Sequence, residues 1–230
     1  HASRVAPVDA PTIQSMGLEY VPGYEGLTVR QSVPVDEVHG AYGALEPTFK
    51  GKGSPEGHMG ICGYTKFKPY RYFDEIGFPP ELVELVEQVA AEVIGREVNA
   101  IRYPGTDDIS GTDFIKHQDI WIPHLASTDP SKPFKLPIYA SADSLIQIAY
   151  HQKVLEQEIA ETLGKLLRKM LNEQGWRIGR IILRPFLGED GTFERIEGDR
   201  KDYGVKPDEP TLIDYLTEAG VPVNGIGKFG

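Results

Sequence analysis

The sequence predicts an α/β fold, on three observations. Residues 78–97 and 153–175 each repeat apolar side chains at the spacing of an amphipathic helix. The runs at 136–142, 177–186 and 221–229 are rich in β-branched and aromatic residues and read as strands. From residue 136 onward the two kinds of segment alternate, the order that builds a partly parallel sheet with helices against its faces.

Taken in order, residues 1–64 are rich in Gly, Pro and Val and show no long helical period. They predict short strands and loops, with one short helix near Thr12–Leu18. In "FPPELVELVEQVAAEVIGRE" Pro79 and Pro80 suit a first helical turn, and Glu81 suits its positive end. Leu82, Leu85, Val86, Val89 and Val93 form its apolar stripe. Residues 98–134 scatter Pro, Gly, Asp and Ser and read as irregular, with "HLASTDPSKPFK" an exposed loop. After the strand "LPIYASA" comes the second helix, 153–175, with Leu155, Ile159, Leu163, Leu166 and Met170 on one side and Gly175 as its stop. "RIGRIILRPF" is a strand, residues 188–210 a charged and turn-rich loop, "TLIDYLTEAG" a short helix ending at Gly220, and "VPVNGIGKF" a last strand. No internal repeat is visible.

The chain has 230 residues, 40% of them hydrophobic and 25% charged, enough for one large domain or two smaller ones. Its formal net charge of -10 argues against a nucleic-acid footprint and against anionic membranes. A small anionic ligand stays open, because local clusters of Arg and Lys override net charge. The single cysteine, Cys62, allows no internal disulfide and no cysteine-rich zinc site, and a reducing, cytoplasmic setting is expected. No stretch reaches the length of a membrane span, and "HASRVAPVDAP" lacks the pattern of a signal peptide.

Several residues could carry chemistry. Arg184 stands toward the end of an apolar strand, where ligand sites of α/β folds form, and Arg200 lies sixteen residues on. Together they could fork a phosphate, or each could be a structural or solvated charge. Ser141, Asp143 and Ser144 follow a strand and could cap a turn or bind a sugar hydroxyl. Lys228 could be a ligand or an edge-strand charge. "GKGSPEGHMGICGY", residues 51–64, gathers Lys52, Ser54, His58 and Cys62 among five glycines. It is neither a Walker loop nor a nucleophile elbow, and by spacing alone it reads as a loop. None of the histidines has a partner at metal-ligand spacing.

Four segments together carry a resemblance. "PIYASADSLIQIAYH", "GRIILRPFLGEDGTFERIEGDRKDY", "PTLIDYLTEAGVPVNGIGK" and, more loosely, "GAYGALEPTFKGKGSPEGH" resemble the phosphopentomutase family of the alkaline phosphatase superfamily. That family reads "SADS.QIA.H", "GR.IARPF.G..G.F.RT..R.D", "PT.LD.L..AG..V..IGK" and "GKDT..GHWE" in the same order. The match is dense from 136 to 228, looser from 1 to 64, and poor over 98–134 apart from "SGTDFI".

The resemblance implies interconversion of ribose or deoxyribose 1-phosphate and 5-phosphate with two divalent metal ions, usually manganese. A phosphorylated enzyme hydroxyl passes its phosphoryl group to the sugar phosphate, and the sugar bisphosphate gives one back. Carried over, Ser54 is the phosphate acceptor and a metal ligand. Ser141 and Asp143 contact the ribose. Arg184, Arg200 and Lys228 grip the phosphate that is not transferred, and Lys52 and His58 flank the acceptor. The family's Thr is Ser54 here, its "HWE" is His58, Met59 and Gly60, and the loop from Lys116 to Lys135 differs.

Family chains are longer and carry their metal-binding aspartates and histidines in parts that this sequence does not match. The resemblance therefore implies an inserted α/β cap at 70–208 that binds the sugar phosphate. Residues 1–69 and 209–230 become portions of an alkaline-phosphatase-like core. The chain is expected to work with the remainder of that core, from the same longer chain or a second one, and to be inactive alone. Two rivals stand beside this reading: another metal-dependent mutase or phosphatase of the superfamily, and a non-catalytic module that binds a sugar phosphate or a partner.

Overall fold

A computed structural model of the chain describes residues 6–24, 26–44, 46–51, 53–73, 77–102 and 116–225. They separate into two compact units, residues 1–47 and 48–230.

In the first unit the chain folds by turns. A short helix α1, Pro11–Ser15, starts from a proline, and two single 3-10 turns follow at Leu18–Tyr20 and Val35–Glu37. One parallel bridge joins Val8 to Val29. Gln14 is buried and receives the Ala10 N–H on its side-chain oxygen at 2.8 Å. Tyr20 Oη donates to the Val33 carbonyl at 2.7 Å.

The second unit holds the α/β architecture. Its helices are α2 (Ser54–Ile61), α3 (Pro80–Ile94), α4 (Gln118–Leu125), α5 (Gln157–Glu173) and α6 (Leu212–Glu218). Its strands are β1 (Val98–Arg102), β2 (Phe134–Tyr139), β3 (Leu145–His151), β4 (Arg180–Leu187), β5 (Glu194–Arg195) and β6 (Lys201–Gly204). The sheet runs β1-β2-β3-β4-β5, with β6 also paired to β4. β1 with β2 and β3 with β4 are parallel, and the other pairs are antiparallel.

Strand pleating sorts the side chains onto two faces. On one face Leu136, Ile138, Ile146, Ile148, Tyr150, Ile181 and Leu183 pack under α3 and α5 in the main core. On the other, Tyr139, Ala149 and Phe186 meet Ile120 and Trp121 of α4 and Phe193 in a smaller cluster. Farther along the α4 face, β3, β4 and β6 carry the polar residues Gln147, Arg180, Arg184 and Asp202.

α3 follows its pattern: Leu82, Leu85, Val86 and Val89 are buried, Val93 packs against the core, and Gly95 ends the helix at φ +79°. In α5 the buried line is Ala160, Leu163, Gly164, Leu167, Arg168 and Leu171, rotated from the predicted stripe, of which Ile159, Leu166 and Met170 are only partly buried. Five readings change. Residues 54–61 form helix α2 rather than a loop, the irregular region holds β1 and α4, β3 adds a strand at 145–151, and the charged loop of 188–210 holds the short strands β5 and β6. Residues 221–225 form no strand, and 226–230 lie outside the described residues. Among the described residues no helix is long and apolar enough to cross a membrane.

Candidate phosphate-binding site

The site is built where the α4 face of the sheet turns polar, and the strand register explains why. Arg180 pairs with Gly204 of β6 and Leu145 of β3, and Ile182 pairs with Asp202 and Gln147. Paired residues share a face, so Arg180, Arg184, Gln147 and Asp202 all project to one side. Arg184 Nε donates to Gln147 Oε1 across the strands. Arg180 Nη2 lies 3.0 Å from Asp143 Oδ2, and its Nη1 lies 3.5 Å from Asp202 Oδ2. Arg200, just before β6, meets the same Asp202 in both prongs of its fork, Nε to Oδ1 at 2.8 Å and Nη2 to Oδ2 at 2.9 Å. That contact raises the Arg200 pKa above its ordinary value, against a smaller opposing effect of burial.

Helix α2 closes the other side. Gly53 is its N-cap, Ser54 its first residue, and Pro55 sits in the first turn. Glu56 is buried and accepts the Tyr72 hydroxyl at 3.0 Å, which ties the helix start to residues 67–72. Pro55, His58 and Met59 lie at i, i+3 and i+4, on one helical face. With Arg180, Arg200, Asp202, Gly204 and Val205 they line a single pocket of about 400 Å³. Pro55 has no N–H to offer an anion, so the positive charge facing this pocket comes from Arg180 and Arg200.

The predicted residues distribute as follows. Arg200 and His58 line the pocket, and Ser54 opens the helix whose next residue lines it. Asp143 reaches the pocket through its pair with Arg180. Arg184 lies four residues beyond Arg180 on the same face of β4 and is engaged with Gln147. Ser141 stands in the loop between β2 and β3, outside the pocket lining. Ser144 holds that loop in place: its hydroxyl donates to the Arg71 carbonyl and accepts the Gly179 N–H at 3.1 Å. Lys52, Lys228 and the side chain of Ser54 lie outside the described structure.

Pocket residues not singled out from sequence include Arg180, Asp202 and Pro55. The signal for the first two was present as strand alternation. Arg180 is four residues before Arg184, and Asp202 two after Arg200, so each falls on the face of its neighbour.

No family model matches the chain. The chain is 35% identical over 231 residues to the phosphopentomutase of Thermotoga maritima, covering 99% of this chain and 52% of that protein. It is 36% identical over 233 residues to the phosphopentomutase of Rhizobium meliloti, again covering 99% and 52%. With the phosphopentomutase of Kosmotoga olearia it shares 33% identity over 228 residues, at the same coverage. The resemblance to phosphopentomutases thus runs along the whole of this chain, and the chain spans about half the length of the curated relatives it matches.

Proposed function

We propose that these 230 residues hold the sugar phosphate and carry the phosphate acceptor of a phosphopentomutase-type enzyme, which interconverts ribose or deoxyribose 1-phosphate and 5-phosphate. The observation that carries this reading is the pocket in which one face of the Ser54 helix meets Arg180 and Arg200. Two guanidinium groups lining one space of about 400 Å³ suit a phosphate ester attached to a small sugar. In this reading Arg200 and Arg180 fix the phosphate that stays, Asp143 orients a sugar hydroxyl, and Ser54 exchanges the phosphoryl group that moves. His58, on the same helix face, lies at the edge of that exchange.

Among the described residues no three His, Cys, Asp or Glu side chains group to hold a metal ion. These residues therefore do not make the expected pair of divalent sites. We assign the ligands for two divalent ions, manganese in the resemblance, to polypeptide outside these 230 residues, with Ser54 the one contribution from within. That polypeptide is the partner this reading requires, and the chain by itself is expected to bind and not to turn over.

The test uses a polypeptide of the relatives' full length that includes these residues. Ser54→Ala is expected to abolish conversion of ribose 1-phosphate to ribose 5-phosphate, followed by phosphorus NMR. Peptide mass mapping is expected to find a phosphoryl group on the Ser54 peptide of the unaltered protein. Turnover that survives Ser54→Ala overturns the reading. A second reading, the same chemistry on another sugar phosphate, is favoured by Met59, which lines the pocket where the family pattern has a tryptophan. A panel of sugar phosphates separates the two.

A further inference from the structure

Asp202 occupies the place in this pocket that an incoming phosphate needs. Its carboxylate takes both prongs of the Arg200 fork, at 2.8 and 2.9 Å. That is the two-bond geometry with which a guanidinium grips phosphate. The same carboxylate stands 3.5 Å from Arg180, whose other terminal nitrogen is 3.0 Å from Asp143. Two guanidinium groups therefore face two carboxylates, and these four groups sum to no net charge. Glu197, in the turn before Arg200, adds a further negative charge acting on that arginine.

The pair is open to exchange. About a third of each side chain is exposed, 35% for Arg200 and 33% for Asp202. Both residues line the pocket rather than the interior. An exposed ion pair has little to lose when a second anion offers the same two hydrogen bonds.

We propose that Asp202 is an internal counter-anion: it holds Arg200 and Arg180 until a phosphate displaces it, and so sets the pocket's affinity for phosphate esters. This rests on reading the pocket as a phosphate site. The carboxylate keeps both guanidinium groups aimed into the pocket when it is empty. It also takes them back as the phosphate leaves, which shortens the bound lifetime. An enzyme whose bisphosphate intermediate must be released from one phosphate and held by the other gains from such a replacement partner.

The experiment is isothermal titration of inorganic phosphate into the 230-residue chain, at fixed pH and ionic strength and without divalent metal. Asp202→Asn and Asp202→Ser are compared with the unaltered chain, each checked for native circular dichroism. Both are expected to bind phosphate about tenfold more tightly, because a carboxylate within hydrogen-bonding reach of the same guanidinium groups has been removed. Asp208→Asn, which alters a carboxylate paired with Lys68 and Arg177 outside the pocket lining, is expected to leave affinity within about twofold. In an Arg200→Gln background, Asp202→Asn is expected to give a smaller gain, because only Arg180 is then released.

If the unaltered chain binds and Asp202→Asn binds equally or more weakly, the proposal is overturned while the phosphate pocket stands. An equal gain from Asp208→Asn makes the effect one of net charge and also overturns it. If no folded protein in the series binds phosphate, the pocket's reading falls, and the proposal with it.

Discussion

Gly164 shows how closely one residue of a helix is fitted to the strand that carries the pocket's acid. A Cβ added at Gly164 would lie 2.3 Å from Tyr203 Cε2 and 2.8 Å from Cδ2. Tyr203 neighbours Asp202 on β6, points to the opposite face, and donates its hydroxyl to the Glu161 carbonyl at 3.3 Å. Alanine is the better helix former by about 1 kcal/mol. Here, however, the added methyl overlaps an aromatic ring held between α5 and the sheet, and overpacking of that kind costs about 1–3 kcal/mol. Gly164→Ala is therefore expected to lower the unfolding free energy by about 1 kcal/mol or more, read by urea denaturation. An unchanged or raised stability would show that Tyr203 yields freely.

At the scale of elements, α4 is where the sheet's second face depends on a neutral histidine. His124 is fully buried. Its Nδ1 donates to the Lys135 carbonyl at 2.7 Å, and its Nε2 accepts the His151 N–H at 2.9 Å. Both nitrogens are thus committed, and a second proton would face a donor. Burial, opposed by the hydrogen bond to Lys135 and aided by His151, pulls the pKa from 6.5 to about 4. His151 is shifted the same way, mainly by burial. The unfolded chain therefore binds more protons than the folded one below about pH 6.5, and stability falls as the pH drops toward 4. From His124 alone the loss approaches about 3 kcal/mol. His124→Gln cannot titrate, so its unfolding free energy is expected to change less than the unaltered chain's between pH 7 and 4. Parallel pH dependences would overturn this.

The same helix shows what a sequence conceals. α3, α5 and β4 were legible because each is long enough for its period to be counted, and each ends at a glycine or a turn. α4 has only eight residues, with Pro123 inside it, and its contact spacing is carried by Ile120, Trp121 and His124 alone. α2 contains Gly57 and Gly60, which lower helix propensity; here they bring the helix surface against Phe49, whose ring lies 4.0 Å from the Cβ position of each. Tertiary packing, not propensity, makes that helix. In α5 the buried line includes Arg168, its Nη1 donating to the Ile178 carbonyl at 2.7 Å, a charged residue that a count of apolar positions passes over. The site was legible in Arg200 and His58, while Arg180 and Asp202 needed the β4–β6 register to be seen as one group.

Over the whole molecule, stability is concentrated in one of the two units. Both hydrophobic clusters consist entirely of residues from 73 to 203. Among the described residues of 1–47 no apolar side chain other than glycine is buried; that unit is held by a single bridge, turns, and surface pairs such as Arg30 with Asp9 at 2.8 Å. A segment of that size without a core cannot offset its own conformational entropy. Every residue lining the candidate pocket lies within 48–230. A chain shortened to 48–230 is therefore expected to unfold cooperatively, with a midpoint within about 5 °C of the full chain, and to bind inorganic phosphate with unchanged affinity. Residues 1–47 alone are expected to show no cooperative transition by circular dichroism. A collapse of the midpoint on shortening would mean that the first unit supplies stability its own contacts do not display. Retained folding with lost phosphate binding would mean instead that residues 1–47 contribute directly to holding the anion.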